Sequence, residues 1–350
     1  MLPQHDLIII GAGLSGLTLA YFLSKKGIQP TILEGSDRIG GRIQTLRGAL
    51  DTPLELGATW FSDMHPNVQS LIAELRLQSY PQYASGISLF QTKSFEPPQQ
   101  FYVPESEAPS HRLAGGTQML IDTLAEKLPP GSIRPSSKVV AISEGDGRLT
   151  VTTEGDRIYH ANAVVCCVPP QLVATQISFS PRLPESATGI LPGVQTWMAG
   201  TIKFALEYEQ PFWRHKGFSG MVYSHAGIIM EMYDHTNVEE NRFGLTGFLN
   251  SGAAVYPQEV RKELVLRQLA DLMGDDIPLP STYLDKVWND AFVLDGNPVI
   301  LRPHQHNGHP ALQSTYMNGR FHFCGTETST AFPGYMEGAV LAARSVSERF

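Results

Sequence analysis

An α/β fold built round a dinucleotide site is what this sequence predicts, and two observations predict it. The stretch DLIIIGAGLSGLTLAYFLSKKGIQPTILE has the pattern of a strand, a tight glycine turn, a helix, a second strand and a closing acid. Much later, GTIKFALEY alternates as a half-covered strand does, and a helical stretch follows Pro257.

Leu7 to Ile10 form an unbroken aliphatic run, as a strand covered on both faces requires. Gly11, Gly13 and Gly16 then give G-x-G-x-x-G. The first permits the turn, the second lets a pyrophosphate approach the backbone, and the third lets the helix pack on the strand. Free N–H groups at the helix start, on Leu14 and Ser15, are expected to hold phosphate charge with help from the helix dipole. Leu14, Leu17 and Tyr21 supply an inward stripe, and Gly27 stops the helix after Lys25 and Lys26. The second strand, Thr31 to Leu33, ends at Glu34, 18 residues after Gly16. A carboxylate there accepts both ribose hydroxyls of an adenosine and repels a 2′-phosphate. In that setting the glycines read as a Rossmann-like dinucleotide site rather than a structural turn.

The residues just beyond Glu34 select the dinucleotide. An NAD site is complete at the acid, whereas the longer FAD presents its pyrophosphate to a second segment. Gly40 and Gly41 bring backbone close to a cofactor, and Arg42 offers phosphate a guanidinium fork. FAD is the expected cofactor.

The whole chain bounds the remaining possibilities. At 350 residues, 42% hydrophobic and 17% charged, it is long and apolar enough for a large two-lobed domain or two ordinary ones. A net charge of -8 with no Lys/Arg-rich run argues against nucleic acid as a partner. Apolar stretches such as AVVCCV fall far short of the roughly 20 residues of a spanning helix. The N-terminus has no basic n-region or cleavage site, and Phe350 directly follows a predicted helix, so neither leader nor membrane tail is expected. Three cysteines in no framework or metal spacing point to a reducing, cytoplasmic setting.

With these motifs in place, the sequence resembles the flavin-containing amine oxidases, a family that includes monoamine, polyamine and L-amino-acid oxidases. EGSDRIGGR is similar to the family's E-x-x-x-R-x-G-G-R, which adds Arg38 and places Gly41 and Arg42 on the cofactor. LELGATWF resembles the segment passing along the flavin ring, implying contacts from Gly57, Ala58, Thr59 and Trp60. LAGGTQMLIDTLAEKL resembles a Gly-Gly turn with its following helix. SSKVVAI resembles the strand whose Val139 meets the adenine end, and ANAVVCCVPP a strand closing the cofactor domain. FHFCGTETSTAFPGYMEGAV is the most specific match, a strand, the cofactor-binding Gly325 and Glu327, and a helix beginning near Met336 whose N-terminus faces the flavin.

The resemblance implies a Rossmann-like FAD-binding domain at 1–62, 111–192 and 289–350, with a discontinuous α+β substrate domain at 63–110 and 193–288. In the second insertion Ile202, Phe204, Leu206 and Tyr208 face one way, and Thr201, Lys203 and Ala205 the other, polar side. GMVYS, GIIMEMY and FGLTGFLN are further strands. The helix after Pro257 turns Val265, Leu269, Leu272 and Met273 inward and stops at Gly274. The first insertion is shorter than the family's.

The activity implied is hydride transfer from the α-carbon of a neutral amine to flavin N5, with O2 as the final acceptor giving H2O2. Lys203 matches the lysine that holds a water at N5, and Tyr335 the aromatic beside the flavin. Asn297 stands where the family's tethering cysteine would be, so non-covalent FAD is expected, and Pro298 replaces the second caging aromatic. Phe292, Trp60 or Tyr233 are candidates to replace it. His304, His306 and His309 lie in a loop-like stretch with no acidic ligand nearby, so a histidine-rich loop and no metal are expected. Glu231, an acid in an apolar strand, is expected on a solvent-facing position, with contact to a cationic amine as the alternative, and Cys324 as a small buried filler. Two other readings share the scaffold: a desaturase or dehydrogenase of a non-amine molecule, and a flavin-binding protein with little turnover.

Overall fold

The computed structural model describes residues 4–104, 108–294 and 302–350. Two large sheets organise them. In the first, the strand order is Ser178–Ser180, Val139–Gly145, Arg148–Thr153, Ile158–Cys166, Gln4–Ile10, Thr31–Leu33 and Ile133–Arg134. The long strand Ile158–Cys166 changes partner midway. Its first half pairs antiparallel with Arg148–Thr153, and its second half pairs parallel with Phe321–Phe323. That switch places a C-terminal strand one position away from the N-terminal strand, with Ile158–Cys166 between them. Leu33, Ile10, Cys166 and Phe323 therefore stand in one row across four parallel strands. Glu34, Gly11, Cys167 and Cys324 come next at the same carboxyl edge, where ligands bind in such sheets.

The helix Leu14–Lys25 departs from its predicted one-sided stripe. Leu14, Leu17, Leu19, Ala20 and Leu23 are all buried, because the helix lies between the sheet and the helices Gln118–Glu126 and Met336–Ser347. Tyr21 is only partly buried, and its hydroxyl donates to Glu74 at 2.7 Å. Gly11 adopts φ +100°, open to glycine at little cost. Gly16 is needed for proximity, since a Cβ there would stand 2.0 Å from the Gly11 carbonyl oxygen.

The second sheet runs Thr282–Val287, Ile202–Tyr208, Phe243–Leu249, Ile229–Asp234, Phe218–Ser224, Ile87–Gln91 and Gln99–Tyr102. As predicted, Ile202, Phe204, Leu206 and Tyr208 share one face, packed with Val265, Leu269, Leu272 and Met273 of the helix Gln258–Met273, which ends at Gly274. The opposite face was expected to be polar. It is equally buried, because Ala205 packs on Leu54 and Leu56 and Lys203 is 2% exposed. From the first insertion, the helix Pro66–Glu74 buries Val68, Leu71 and Ile72 in the core of the first sheet. Among the described residues no helix is long and apolar enough to cross a membrane.

Gly16→Ala is expected to cost about 3 kcal/mol, because the new methyl must push helix from strand. A thermal scan of the variant should show the midpoint several degrees lower than in the parent.

Candidate active site

The row of strand ends opens into an elongated cleft enclosing about 1260 Å3 of empty space, its open mouth included. Gly11, Gly13, Leu14, Ser15, Glu34, Arg38, Gly41, Arg42, Ala58, Val139, Tyr335 and Met336 line it. Gly16, Gly57, Thr59, Trp60, Gly325, Glu327 and Lys203 do not line it, and support it or continue beyond it.

At one end Glu34 is fixed by three donors. Its Oε2 accepts from Ala12 N at 2.7 Å, and its Oε1 accepts from Ser36 N and Oγ, both at 2.9 Å. Phe292 lies here, beside Gly35 and Lys138, which removes it as a partner ring for Tyr335. In the middle, Gly40 N donates to Ala12 O at 2.9 Å, and a Cβ on Gly41 would stand 3.3 Å from Gly13 Cα. The two glycine turns thus touch backbone to backbone. Arg38 binds its own loop, donating to Gly41 O at 2.5 Å and Ile43 O at 3.1 Å, so its guanidinium braces that turn. The helices Leu14–Lys25 and Met336–Ser347 both start at the cleft with no side chain capping their first N–H groups among the described residues.

Glu327 is fully buried. Arg42 Nη2 lies 2.7 Å from its Oε1, off the direction a hydrogen bond needs, so neither carboxylate oxygen has a donor among the described residues. A buried carboxylate short of donors suits a ligand rich in hydroxyl groups.

At the other end the segment after Gly57 separates two cavities. Ala58 faces the cleft, while Trp60 faces a second pocket of about 2070 Å3 that Tyr223, Glu231, Tyr233 and Phe248 also line. Between them, Lys203 Nζ donates to Gly57 O at 2.7 Å and contacts Thr59 Oγ1. The same amine lies 4.6 Å from the centre of the Trp60 ring. Burial pushes the Lys203 ammonium down to about 7, against the pull of Glu55 and with the push of Arg112. Burial likewise raises Glu55, whose oxygens accept from Thr117 N at 2.5 Å and Thr45 Oγ1 at 3.0 Å. It holds His235 well below the usual imidazole range, where Nε2 accepts from Glu55 N at 3.3 Å.

Around Tyr335 the structure places rings that sequence reasoning missed. His304 stacks on Trp197 with centroids 4.5 Å apart, and Tyr335 lies 5.9 Å from His304 and 6.2 Å from Trp197. No short motif surrounds Trp197, and the histidine loop gave only a negative signal. Among the described residues no group of three or more His, Cys, Asp or Glu side chains could hold a metal. Glu231 departs from its expected solvent-facing position and is half-buried, where Oε2 accepts from Tyr233 Oη at 2.9 Å. Cys324 is fully buried as expected. Asn297 and Pro298 lie outside the described residues.

A family model described as flavin containing amine oxidoreductase matches residues 14–97 and 82–349. The chain belongs to that family. It is 24% identical to a probable flavin-containing monoamine oxidase A of Dictyostelium discoideum, over 99% of this chain and 98% of the relative. It is 25% identical to a putrescine oxidase of Kocuria rosea, over 81% of each. Among solved structures, a cyclohexylamine oxidase of Brevibacterium oxydans shares the fold at a TM-score of 0.86 and 21% identity, with 99% of each chain covered. A putrescine oxidase bound to putrescine does so at 0.85 and 21%, again over 99% of each. The member described here is thus a flavin-dependent amine oxidoreductase, and its own residues fit the cofactor: two Cβ-free turns in contact, uncapped helix starts and the donor-poor Glu327 carboxylate.

The depressed Lys203 value makes stability depend on pH. Unfolded lysine keeps its proton to about 10.4, whereas the native amine loses it above about 7, so the unfolded chain binds more protons between those values. Stability gained from this group rises with pH across that window, by up to about 1.4 kcal/mol per unit. Urea titrations from pH 7 to 10 should show Lys203→Met to have a flatter dependence than the parent.

Proposed function

We propose that the protein oxidises an amine with non-covalently bound FAD and passes the electrons to O2. The observation that carries this reading is the wall at residues 57–60. One neighbour of Thr59 faces the cofactor cleft, the other faces a separate aromatic pocket, and the buried Lys203 amine is fixed at Thr59 itself. A cofactor and a substrate held on either side of that wall's end meet at one basic, water-poor place.

A bound flavin would supply the two-electron acceptor for the amine, with O2 as the final oxidant giving H2O2. The chain does the rest. Gly11, Gly13, Leu14, Ser15, Gly41 and Arg42 would hold the pyrophosphate, Glu34 and Val139 the adenosine end, and Gly325 with Glu327 the hydroxyl-bearing linker. Gly57, Ala58 and the N-terminus at Met336 would border the ring. Arg38 and Gly16 act through the backbone they brace. Lys203, an uncharged amine above about pH 7, orders water at the reacting centre without repelling a cationic substrate. Tyr335 orients the amine by its ring, with Trp197 and His304 in support.

Non-covalent attachment is supported by the side chains on hand. Asn297 offers no sulfur, and Cys167, the cysteine lining the cleft, has a thiol that burial and Cys324 push well above its usual range. The reading assigns 1–62, 111–192 and 289–350 to cofactor binding and 63–110 and 193–288 to substrate; the strands of the two large sheets divide that way, while the helix Pro66–Glu74 packs in the core of the first. Three free thiols accord with a cytoplasmic setting.

Anaerobic mixing with a panel of amines should bleach the flavin for at least one member, and air should then yield H2O2. Bleaching by non-amine donors alone would contradict the reading. Acid precipitation should leave the pellet colourless and all flavin in the supernatant.

A further inference from the structure

We propose that Phe292 gives a ring face to the adenine of the bound dinucleotide, and so sets how long a cofactor with no covalent tether stays on the protein. The inference rests on the FAD reading above and deepens it.

The ring's position comes first. Phe292 lies at the end of the cleft where Glu34 is fixed. A Cβ on Gly35, the next residue, would stand 2.9 Å from Phe292 Cε1 and 3.6 Å from Lys138 Cβ. The ring therefore rests on backbone that is bare because Gly35 has no side chain. An adenine is joined to the ribose whose hydroxyls Glu34 would accept, so base and ring meet at this end. Leu33, Val139, Leu172 and Ile177 line the cleft with Phe292, which gives a flat base apolar walls. Phe292 is nevertheless 43% exposed, whereas Val293 beside it is 4% exposed. A large aromatic side chain left open to a cleft while its neighbour is buried has a free face for a planar partner.

The backbone holds that face in place. Asp290 Oδ1 accepts from Phe292 N at 3.2 Å, and Asp290 O accepts from Val293 N and Leu294 N at 2.9 and 3.0 Å. Asp290 Oδ2 pairs at 3.1 Å with Lys286 Nζ, on the strand Thr282–Val287 of the second sheet. From the other side Gln176 Nε2, at the end of the helix Pro170–Gln176, donates to Ala291 O at 3.1 Å. The turn is tied to both halves of the molecule and carries its ring to the adenosine end. A ring fixed beforehand loses little freedom on meeting a base, so more of the contact appears as affinity. Asn297 follows Phe292 by a few residues. The segment that offers no sulfur for a tether at the flavin thus supplies a contact at the cofactor's opposite end.

The test follows release of FAD from the loaded full chain, read as the rise of flavin fluorescence after dilution. Phe292→Ala should release FAD roughly 10- to 100-fold faster than the parent, as for the loss of one ring–base contact. Phe292→Tyr keeps the ring and should stay within about threefold of the parent. Phe292→Leu, which keeps apolar bulk without a ring, should fall between the two. The visible spectrum of the flavin still bound should not move, because the lost contact lies at the far end of the cofactor. Release from Phe292→Ala at the parent's rate overturns the proposal. So does equal acceleration in Phe292→Tyr, or a shifted flavin spectrum in Phe292→Ala, since either would mean that the residue acts through the fold. In these cases the FAD reading stands. A parent chain that carries FMN instead, or takes up no flavin, overturns both.

Discussion

A lysine amine with almost no access to water, tied by Lys203 Nζ to Gly57 O, is the contact on which the rest of the arrangement depends. It joins a strand of the second sheet to the segment bordering the cofactor cleft. Burial alone would favour an apolar residue there, since an ammonium is costly to desolvate. Burial and the nearby Arg112 accommodate the lysine by lowering its proton affinity to about 7, while Glu55 in the same interior pulls the other way. Because strand register is fixed by which face is buried, anchoring Lys203 also fixes Phe248, Glu231 and Tyr223 beside it. The cleft and the aromatic pocket are thereby aligned by one backbone register.

The chain achieves this with less sequence than its relatives. Its alignment with the Dictyostelium protein spans 460 positions against 350 residues here, so the relative carries insertions that this chain lacks. The first insertion, expected to be short, still supplies two strands to the second sheet and a helix to the first core.

Much of the cofactor half was legible in the sequence because its chemistry is local. A glycine with positive φ, an acid closing a strand and a helix start without a cap each declare themselves within a few residues. The interior round Lys203 was not legible. Glu55, Arg112 and His235 come from three distant parts of the chain, and only tertiary packing shows that they share one space. Alternation in GTIKFALEY gave the two faces of that strand correctly and misjudged what covered the second, since periodicity reports a difference between faces and not the burial of each. For Glu231, expected to face solvent, only the packing of Tyr233 shows that the carboxylate is half-buried. Tyr335 was found by its motif, whereas Trp197 and His304 reached it through loops with no pattern to follow.

A crystal structure of the protein grown with FAD tests the account most directly. The expected result is one FAD per chain, its adenosine at Glu34, its linker on Glu327, and its ring between the Lys203–Gly57 contact and the start of the helix Met336–Ser347, open on one side to the pocket of Trp60 and Glu231. A ring lodged elsewhere, or walled off from that pocket, would contradict it.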